Sequence, residues 1–348
     1  MAVAAQQMAN KALILSDGKP GHFYQSIGLA DDLVSCGYLS GYEVRKIDMI
    51  PDRIRWHQIR NFFWEPDKAL AAFFKDPDTI LSEAQNFSLL IETGSTTATL
   101  AVILHRLLPK LKLIHILKPL FFNSFDLILL PKHDTLFFER LNLLRFLVGF
   151  NVVSPVKAEK HGLELEKMFM LRKFPREQAV SLLVGGDSRD YELNWPDLQP
   201  ILQELAALKL HLLLTTSRRT PLEVSRELKK FTSDYPLTEL SVFVDENYYN
   251  PLPGLFSLAD SVLVTEDSFS MISEAVSSGR KTGVLLSREV QNKKIRKSIS
   301  EMVFEGLVFP LWGGTDLQAF LSWSPLRTVS EEKDQLISEI VKRLTQEN

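Results

Sequence analysis

Apolar residues fall in short runs along this chain, and most runs stop at glycine, serine, threonine or an acidic residue before helical spacing begins. In the first half, residues 12–15 read as a buried strand, followed by a glycine-rich turn and a helical pattern over 25–33. Residues 42–47, 89–91, 111–117 and 127–130 read as further strands, with helical spacing over 97–108. The second half restarts the series, with strands at 179–184, 211–216, 241–244, 261–264 and 282–286 and a helix at 196–208. Strands alternating with helices predict βαβ units and mostly parallel sheets. The expected fold is α/β, with two Rossmann-like doubly wound domains facing a central cleft. The expected divisions are 1–165, 166–330 and a terminal amphipathic helix at 331–348, with the interdomain linker in the charged stretch 157–176.

In doubly wound sheets ligands sit beyond the carboxyl ends of the strands, and the polar clusters of this chain stand there. They occupy 16–22, 93–97, 185–190, 215–220 and 265–270. The richest begins at Val262, where an apolar strand ends in Thr265-Glu266-Asp267-Ser268 and passes directly into a helix. Ser268, Ser270 and Ser273 fall at or near the helix start, where unpaired N–H groups and the helix dipole attract anions. Glu274 follows about one turn in, placed to accept hydrogen bonds from a sugar or ribose hydroxyl. A diphosphate-bearing ligand suits that layout, and so does an ordinary serine-capped turn of an α/β protein.

The other clusters carry similar pairs of readings. Asp17-Gly18-Lys19-Pro20-Gly21-His22 joins two glycines to a lysine and a histidine. Gly18 and Gly21 let a ligand approach the backbone, and helix-start N–H groups beside Lys19 can hold an anion. His22 reads as a base or an acceptor-orienting group, because histidine as a residue type can exchange a proton near neutral pH, or as a capping residue; Asp17 is the second base candidate. The loop has neither a P-loop ending nor a G-x-G-x-x-G fingerprint. Gly185, Gly186 and Ser188 follow one strand, and Ser217, Arg218 and Arg219 the next. The glycines open space for phosphate while serine and arginine supply donors, although adjacent arginines also read as solvated charge. Neither Glu266-Asp267 nor residues 187–190 form an Asp-x-Asp pattern, and the seven histidines show no ligand spacing. No metal is expected, and the acidic pairs read as solvated loops. Arg53, Arg55, Trp56, His57, Arg60, Phe62, Phe63 and Trp64 form a basic-aromatic segment, suited to an anionic membrane interface or to packing with its charges outward. Residues 120–122 carry the same ambiguity.

Bulk properties narrow the function classes. A length of 348 residues allows two domains with full cores. The net charge of −3 removes the electrostatic reason to expect nucleic acid as a partner. Cys36 is the only cysteine, so an intrachain disulfide and a cysteine zinc site are both excluded. The first eleven residues hold no signal-peptide core, and no apolar run approaches the roughly 18 residues of a membrane span. The expected location is cytoplasmic, with peripheral contact at the inner face of a membrane left open.

Together, residues 16–22 with Gln25, the segment 215–221 and Thr265-x-Asp267-Ser268-x-Ser270-Met271-x-Ser273-Glu274-Ala275 resemble the mitochondrial fission ELM family, which includes a plant protein and many bacterial relatives. Phe125-Asp126, Pro131-Lys132-His133-Asp134, Gly185-Gly186, Asn250-Pro251 and Leu258-Ala259-Asp260 extend the likeness. Where members usually carry Thr-x-Gly after the Pro131 motif, this chain has Leu147-Val148-Gly149-Phe150-Asn151, a departure on the acceptor side.

The resemblance implies a bacterial member with the GT-B glycosyltransferase-like architecture. Ser273-Glu274-Ala275 leading to Gly279 is also similar to the donor-site helix of the lipid-linked N-acetylglucosaminyl transferase of peptidoglycan synthesis. On that likeness Glu274 binds ribose, Ser268 and Ser270 lie at the diphosphate beside Asp267 and Met271, and the loop from Gly18 to His22 faces acceptor and diphosphate. It implies transfer from a nucleotide sugar to a glycan, lipid-linked or other hydroxyl acceptor, with no bound cofactor or metal. Helix N-termini and Arg218 or Arg219 would neutralise the leaving diphosphate. The plant member's association with recruiting a fission dynamin gives the alternative of a non-catalytic adaptor with a protein partner. A GT-B-like nucleotide-sugar epimerase is the third reading.

Overall fold

The computed structural model describes residues 10–47, 65–73, 76–119, 122–136, 140–246, 249–287, 291–313 and 316–346. The basic-aromatic segment from Arg53 to Trp64 lies outside them, as do Leu120 and Phe121. The chain divides into two compact units. One comprises Met1–Phe146, Phe150–Val152 and Lys333–Asn348; the other comprises Leu147–Gly149 and Val153–Glu332.

In the first unit β1 (Lys11–Ser16) leads into α1 (Pro20–Ser35) and β2 (Gly41–Lys46). Then come α2 (Pro66–Phe73), α3 (Pro77–Ala84), β3 (Leu89–Thr93), α4 (Ser95–Leu107), β4 (Lys112–Ile116), β5 (Leu127–Pro131) and β6 (Leu143–Phe146). The strands form a parallel sheet in the order β2-β1-β3-β4-β5-β6. Every position of β1 after Lys11 is buried, which explains its continuous apolar run: crossover helices cover both faces of a parallel sheet. Leu13, Leu15, Leu90, Ile128 and Leu130 share one core cluster with Leu100, Ala101 and Leu104 of α4. Pro20 opens α1 at its first turn, where the missing N–H costs nothing.

The second unit runs α5 (Pro155–Met168), β7 (Ala179–Val184), α6 (Trp195–Ala207), β8 (His211–Thr216), α7 (Leu222–Asp234) and β9 (Thr238–Val242). It continues through α8 (Gly254–Ser257), β10 (Ser261–Thr265), α9 (Phe269–Ser277), β11 (Lys281–Leu286), α10 (Lys293–Phe304), β12 (Phe309–Trp312) and α11 (Leu317–Ser322). Its parallel sheet has the order β12-β11-β10-β7-β8-β9. The last helix, α12 (Val329–Thr345), contributes its residues from Lys333 onward to the first unit. No helix among the described residues is long and apolar enough to cross a membrane.

Residues 157–176, read as linker, are mostly helical. Ser154 accepts the Lys157 N–H at 3.3 Å and caps α5. Only Ala158, Gly162 and Leu165 of that helix are buried, so its composition looks like solvated charge. It packs on α8, so the change of unit falls before it, in the region 147–153, and not at 165/166. Strands β6 and β12 lie at sheet edges, and their short sequences Leu-Leu-Arg-Phe and Phe-Pro-Leu-Trp give a weak pattern.

Both sheets contain a topological switch. β1 has β2 on one side and β3 on the other, and β7 has β8 on one side and β10 on the other. At such points crossover connections leave in opposite directions and open a crevice at the carboxyl edge. The loops at these two switches are those carrying His22 and Gly94, and Gly185 and Asp267.

Candidate functional site

In the second unit the β7 and β10 loops are pinned together by Asp267. Its Oδ1 accepts the Thr265 hydroxyl at 2.6 Å, and its Oδ2 accepts the Gly186 N–H at 3.0 Å and Arg219 Nη2 at 2.7 Å. The Gly185 N–H donates to Thr265 Oγ1 at 2.8 Å. Arg219 Nη1 reaches the carbonyls of Asp187 at 2.9 Å and Gly186 at 3.2 Å, which ties in the β8 loop. The paired glycines serve this closure. A Cβ on Gly185 would lie 2.0 Å from the Asp267 carboxylate, and one on Gly186 would lie 2.1 Å from the Arg219 backbone. The positions a Cβ would take at both glycines are therefore filled by the chain itself, and Asp267 and Arg219 hold the loops together.

Asp267→Ala is expected to lower folding stability by about 2 kcal/mol, because it strands the Gly186 N–H and the Thr265 hydroxyl and unpairs Arg219. The urea midpoint measures it; an unshifted midpoint would return Asp267 to ligand binding.

Glu266 faces the other way and is also buried. It accepts Arg296 Nε at 2.6 Å, Arg296 Nη2 at 2.8 Å and the Ser287 N–H at 2.8 Å, and bonds the Ser287 hydroxyl. The Arg296 guanidinium lies 5.1 Å from the centre of the Trp312 ring. Glu266 and Asp267 are thus two buried anchors, not the solvated loop expected.

What remains open at this edge is the start of α9. Ser268 caps the helix by accepting the Met271 N–H at 3.3 Å, and no acidic residue stands in the first turn. Met271 packs against the core. Ser270 is exposed and makes no hydrogen bond among the described residues. Glu274, four residues on, shares its face of the helix at about 5–6 Å between Cβ atoms. Its carboxylate is half-buried and has no hydrogen-bond partner among the described residues, and burial pushes its pKa up to about 7. Ser273 points elsewhere and accepts the Gly149 N–H at 3.0 Å. Arg218 is exposed and unpartnered among the described residues; Ser217 accepts the Arg219 N–H at 3.1 Å within its own turn, and Ser188 pairs with Tyr191 through the backbone.

In the first unit the β1 loop folds over its own carboxylate. Asp17 Oδ1 accepts the Lys19 N–H at 3.1 Å, and Oδ2 lies 3.0 Å from both Lys19 Nζ and His22 Nδ1. Burial pushes the Asp17 carboxyl up, but the Lys19 hydrogen bonds and the His22 ring outweigh it and hold the group below the usual carboxylate range. His22 is a quarter exposed, and its ring sits on Gly94, where a Cβ would come within 2.5 Å of Cε1. Gly94 (φ 87°) thus supplies both the turn and the seat. Ser26 of α1 bonds Thr93 at 2.7 Å and holds α1 to the same switch. Gly21 has open space above it.

Sequence reasoning missed a fully buried pair beneath this loop. Glu92 bonds His115 Nδ1 and accepts the Thr97 hydroxyl at 2.6 Å, which anchors the start of α4 behind Gly94. A charged residue inside the apolar run Leu-Leu-Ile-Glu-Thr was the available signal. No group of three or more His, Cys, Asp and Glu side chains among the described residues is arranged to hold a metal ion.

Residues 20–342 match the model of the family described as mitochondrial fission ELM1. A protein of Rickettsia prowazekii is 23% identical over 286 residues, 73% of this chain and 78% of that protein. The mitochondrial fission protein ELM1 of Arabidopsis thaliana is 31% identical over 133 residues, 37% of this chain, and the match spans 30% of that protein's length. Among solved structures, a glycosyltransferase of Rickettsia africae superposes with a TM-score of 0.54 at 8% identity, covering 98% of this chain and 100% of that one. UGT2 of Phytolacca americana, complexed with UDP-2-fluoro-glucose and pterostilbene, gives 0.53 at 12% identity, with 97% and 100% covered. The UDP-GlcNAc 2-epimerase of Methanocaldococcus jannaschii gives 0.50 at 13%, with 97% and 93% covered. At these identities the likeness establishes the fold alone, two parallel-sheet α/β units of GT-B type.

Proposed function

We infer that this chain, which belongs to the mitochondrial fission ELM1 family, is a glycosyltransferase that takes a sugar from a nucleoside diphosphate and passes it to an acceptor hydroxyl. The observation that carries this reading is Glu274. A half-buried carboxylate without a partner is unfavourable in a folded chain, and the packing of α9 gives it no employment. A ribose diol supplies the two donors it lacks. One turn earlier, the open Ser270 end of α9 and the exposed Arg218 meet the diphosphate. The complex of the Phytolacca protein with UDP-2-fluoro-glucose supports the choice of ligand class.

The chemistry falls to the first unit. His22 Nδ1–H donates to the Asp17 carboxylate, which leaves the Nε2 lone pair free. His22 Nε2 takes the acceptor's hydroxyl proton, the oxygen bonds to the anomeric carbon, and the bond to the diphosphate breaks with its electron pair on the leaving oxygen. The helix N-terminus and Arg218 stabilise that charge, in the role an ion plays elsewhere. Asp17, a base candidate from sequence, becomes the residue that orients His22.

The match to the Arabidopsis fission protein favours an adaptor as the second reading, and the archaeal neighbour an epimerase as the third. Thermal unfolding with UDP, GDP, CMP, ADP and their sugar conjugates separates the first from the second. Ligand at about 100 times its Kd adds about 2.7 kcal/mol of stability. A shift with one nucleotide supports a donor site, and nucleotide release that needs an added acceptor separates transferase from epimerase. No shift with any nucleotide sinks the transferase and leaves the adaptor.

A further inference from the structure

The carboxyl edge of the first sheet carries positive charge that the reaction above does not use. Lys46 ends β2, Lys118 stands two residues beyond β4, and Lys132 and His133 follow β5. Because the strands are parallel, these ends lie on the same edge as Lys19 and His22. Among the described loops of this edge the carboxylates are Asp17 and Asp134, and both are buried. The ammonium groups of Lys46 and Lys118 are exposed and make no hydrogen bond or ion pair among the described residues. Lys46 lies along the β1 loop: its Cε is 3.3 Å and its Nζ 4.0 Å from the Cβ position of Gly18. Neither α1 nor α4 has a side-chain cap or an acidic residue in its first turn, although the Asp17 carboxylate takes the Lys19 N–H just before α1.

We propose that this edge binds a phosphate group carried by the acceptor, so that the acceptor is a phosphorylated compound whose reacting hydroxyl is presented to His22. Lysine is a point charge that suits a tetrahedral anion from any side. Lys19 and Lys46 flank the His22 loop directly. Lys118 and Lys132 lie farther along the edge at about 4.8 Å per strand, in line for a second phosphate or a longer anion. The proposal rests on the transferase reading for the word acceptor, but the anion site itself does not.

The test follows the His22 imidazole NMR signals of the full chain during titration with glycerol 3-phosphate. A saturable shift is expected. Its affinity should weaken about tenfold in Lys46→Ala, an effect of the size of one charge-assisted contact, recover in Lys46→Arg, and hold in Arg218→Ala, which alters only the second unit. Co-sedimentation with phosphatidylcholine vesicles containing phosphatidate, dependent on Lys46, would make the phosphate lipid-borne; glycerol 3-phosphate binding without it would make the acceptor soluble. No saturable shift, or equal affinity in wild type and in the Lys46→Ala, Lys118→Ala double variant, overturns the site. A persistent His22 shift in a protein that no nucleotide stabilises would remove the donor reading and leave the anion site standing.

Discussion

His22→Ala is expected to lower turnover by about 10²–10⁴-fold while nucleotide affinity changes by less than about twofold. On the proposed mechanism the two quantities separate, because the ring meets the acceptor's proton and not the donor. His22 is held from both ends: Asp17 fixes Nδ1 at 3.0 Å, and the missing side chain of Gly94 gives the ring its seat. That fixation leaves Nε2 as the ring nitrogen that the proposed mechanism offers to the acceptor. Asp17→Asn keeps the shape but removes the charge that stabilises an imidazolium, so kcat should fall with little change in KM. Lys19 and His22 keep the Asp17 carboxyl ionised through the neutral range, so it exerts this effect at any working pH above its lowered pKa. Release of nucleoside diphosphate from saturating donor measures both variants. Retained turnover in His22→Ala would take the base away from this loop.

The inner strands of both sheets were legible because they are buried on both faces, which turns them into apolar runs such as Leu-Leu-Leu before Thr215. The carboxyl-edge position of the polar clusters was legible for the same reason, since each cluster begins where a run ends. Partnership was not. Asp267 and Arg219 stand 48 residues apart, and Glu266 and Arg296 stand 30 apart, spacings that no periodicity encodes. Only the order β10-β7-β8 brings the first pair together. Glu92 and His115 likewise meet because the β3–β4 register sets one opposite the other. A linear reading therefore grouped Asp267, Arg219 and Glu274 as ligand residues; the fold gives the first two loop-closing bonds, while Glu274 has no hydrogen-bond partner among the described residues.

That freedom has an energetic sign that can be measured. The Glu274 carboxyl titrates near 4.5 when exposed and at about 7 in the folded chain, because burial disfavours its anion. Between these values the folded state holds a proton that the unfolded state has lost, so stability falls as pH rises from about 4.5 and levels off above about 7. The full penalty is of the order of 3 kcal/mol, and glutamine does not incur it. Glu274→Gln should therefore stabilise the ligand-free protein at about pH 8 and leave it nearly unchanged at about pH 4. The same substitution should weaken nucleotide binding sharply, since the amide offers one neutral acceptor oxygen where the carboxylate offers two charged ones. Binding to the wild type selects the carboxylate, so affinity should weaken as pH drops below 7 and complex formation should release up to one proton. Titration calorimetry in buffers of different ionisation enthalpy reads that proton. A residue with a purely structural role gives the opposite pattern: Glu274→Gln would destabilise the chain at every pH and leave nucleotide affinity untouched. Gain of stability together with loss of binding marks a group kept for its ligand.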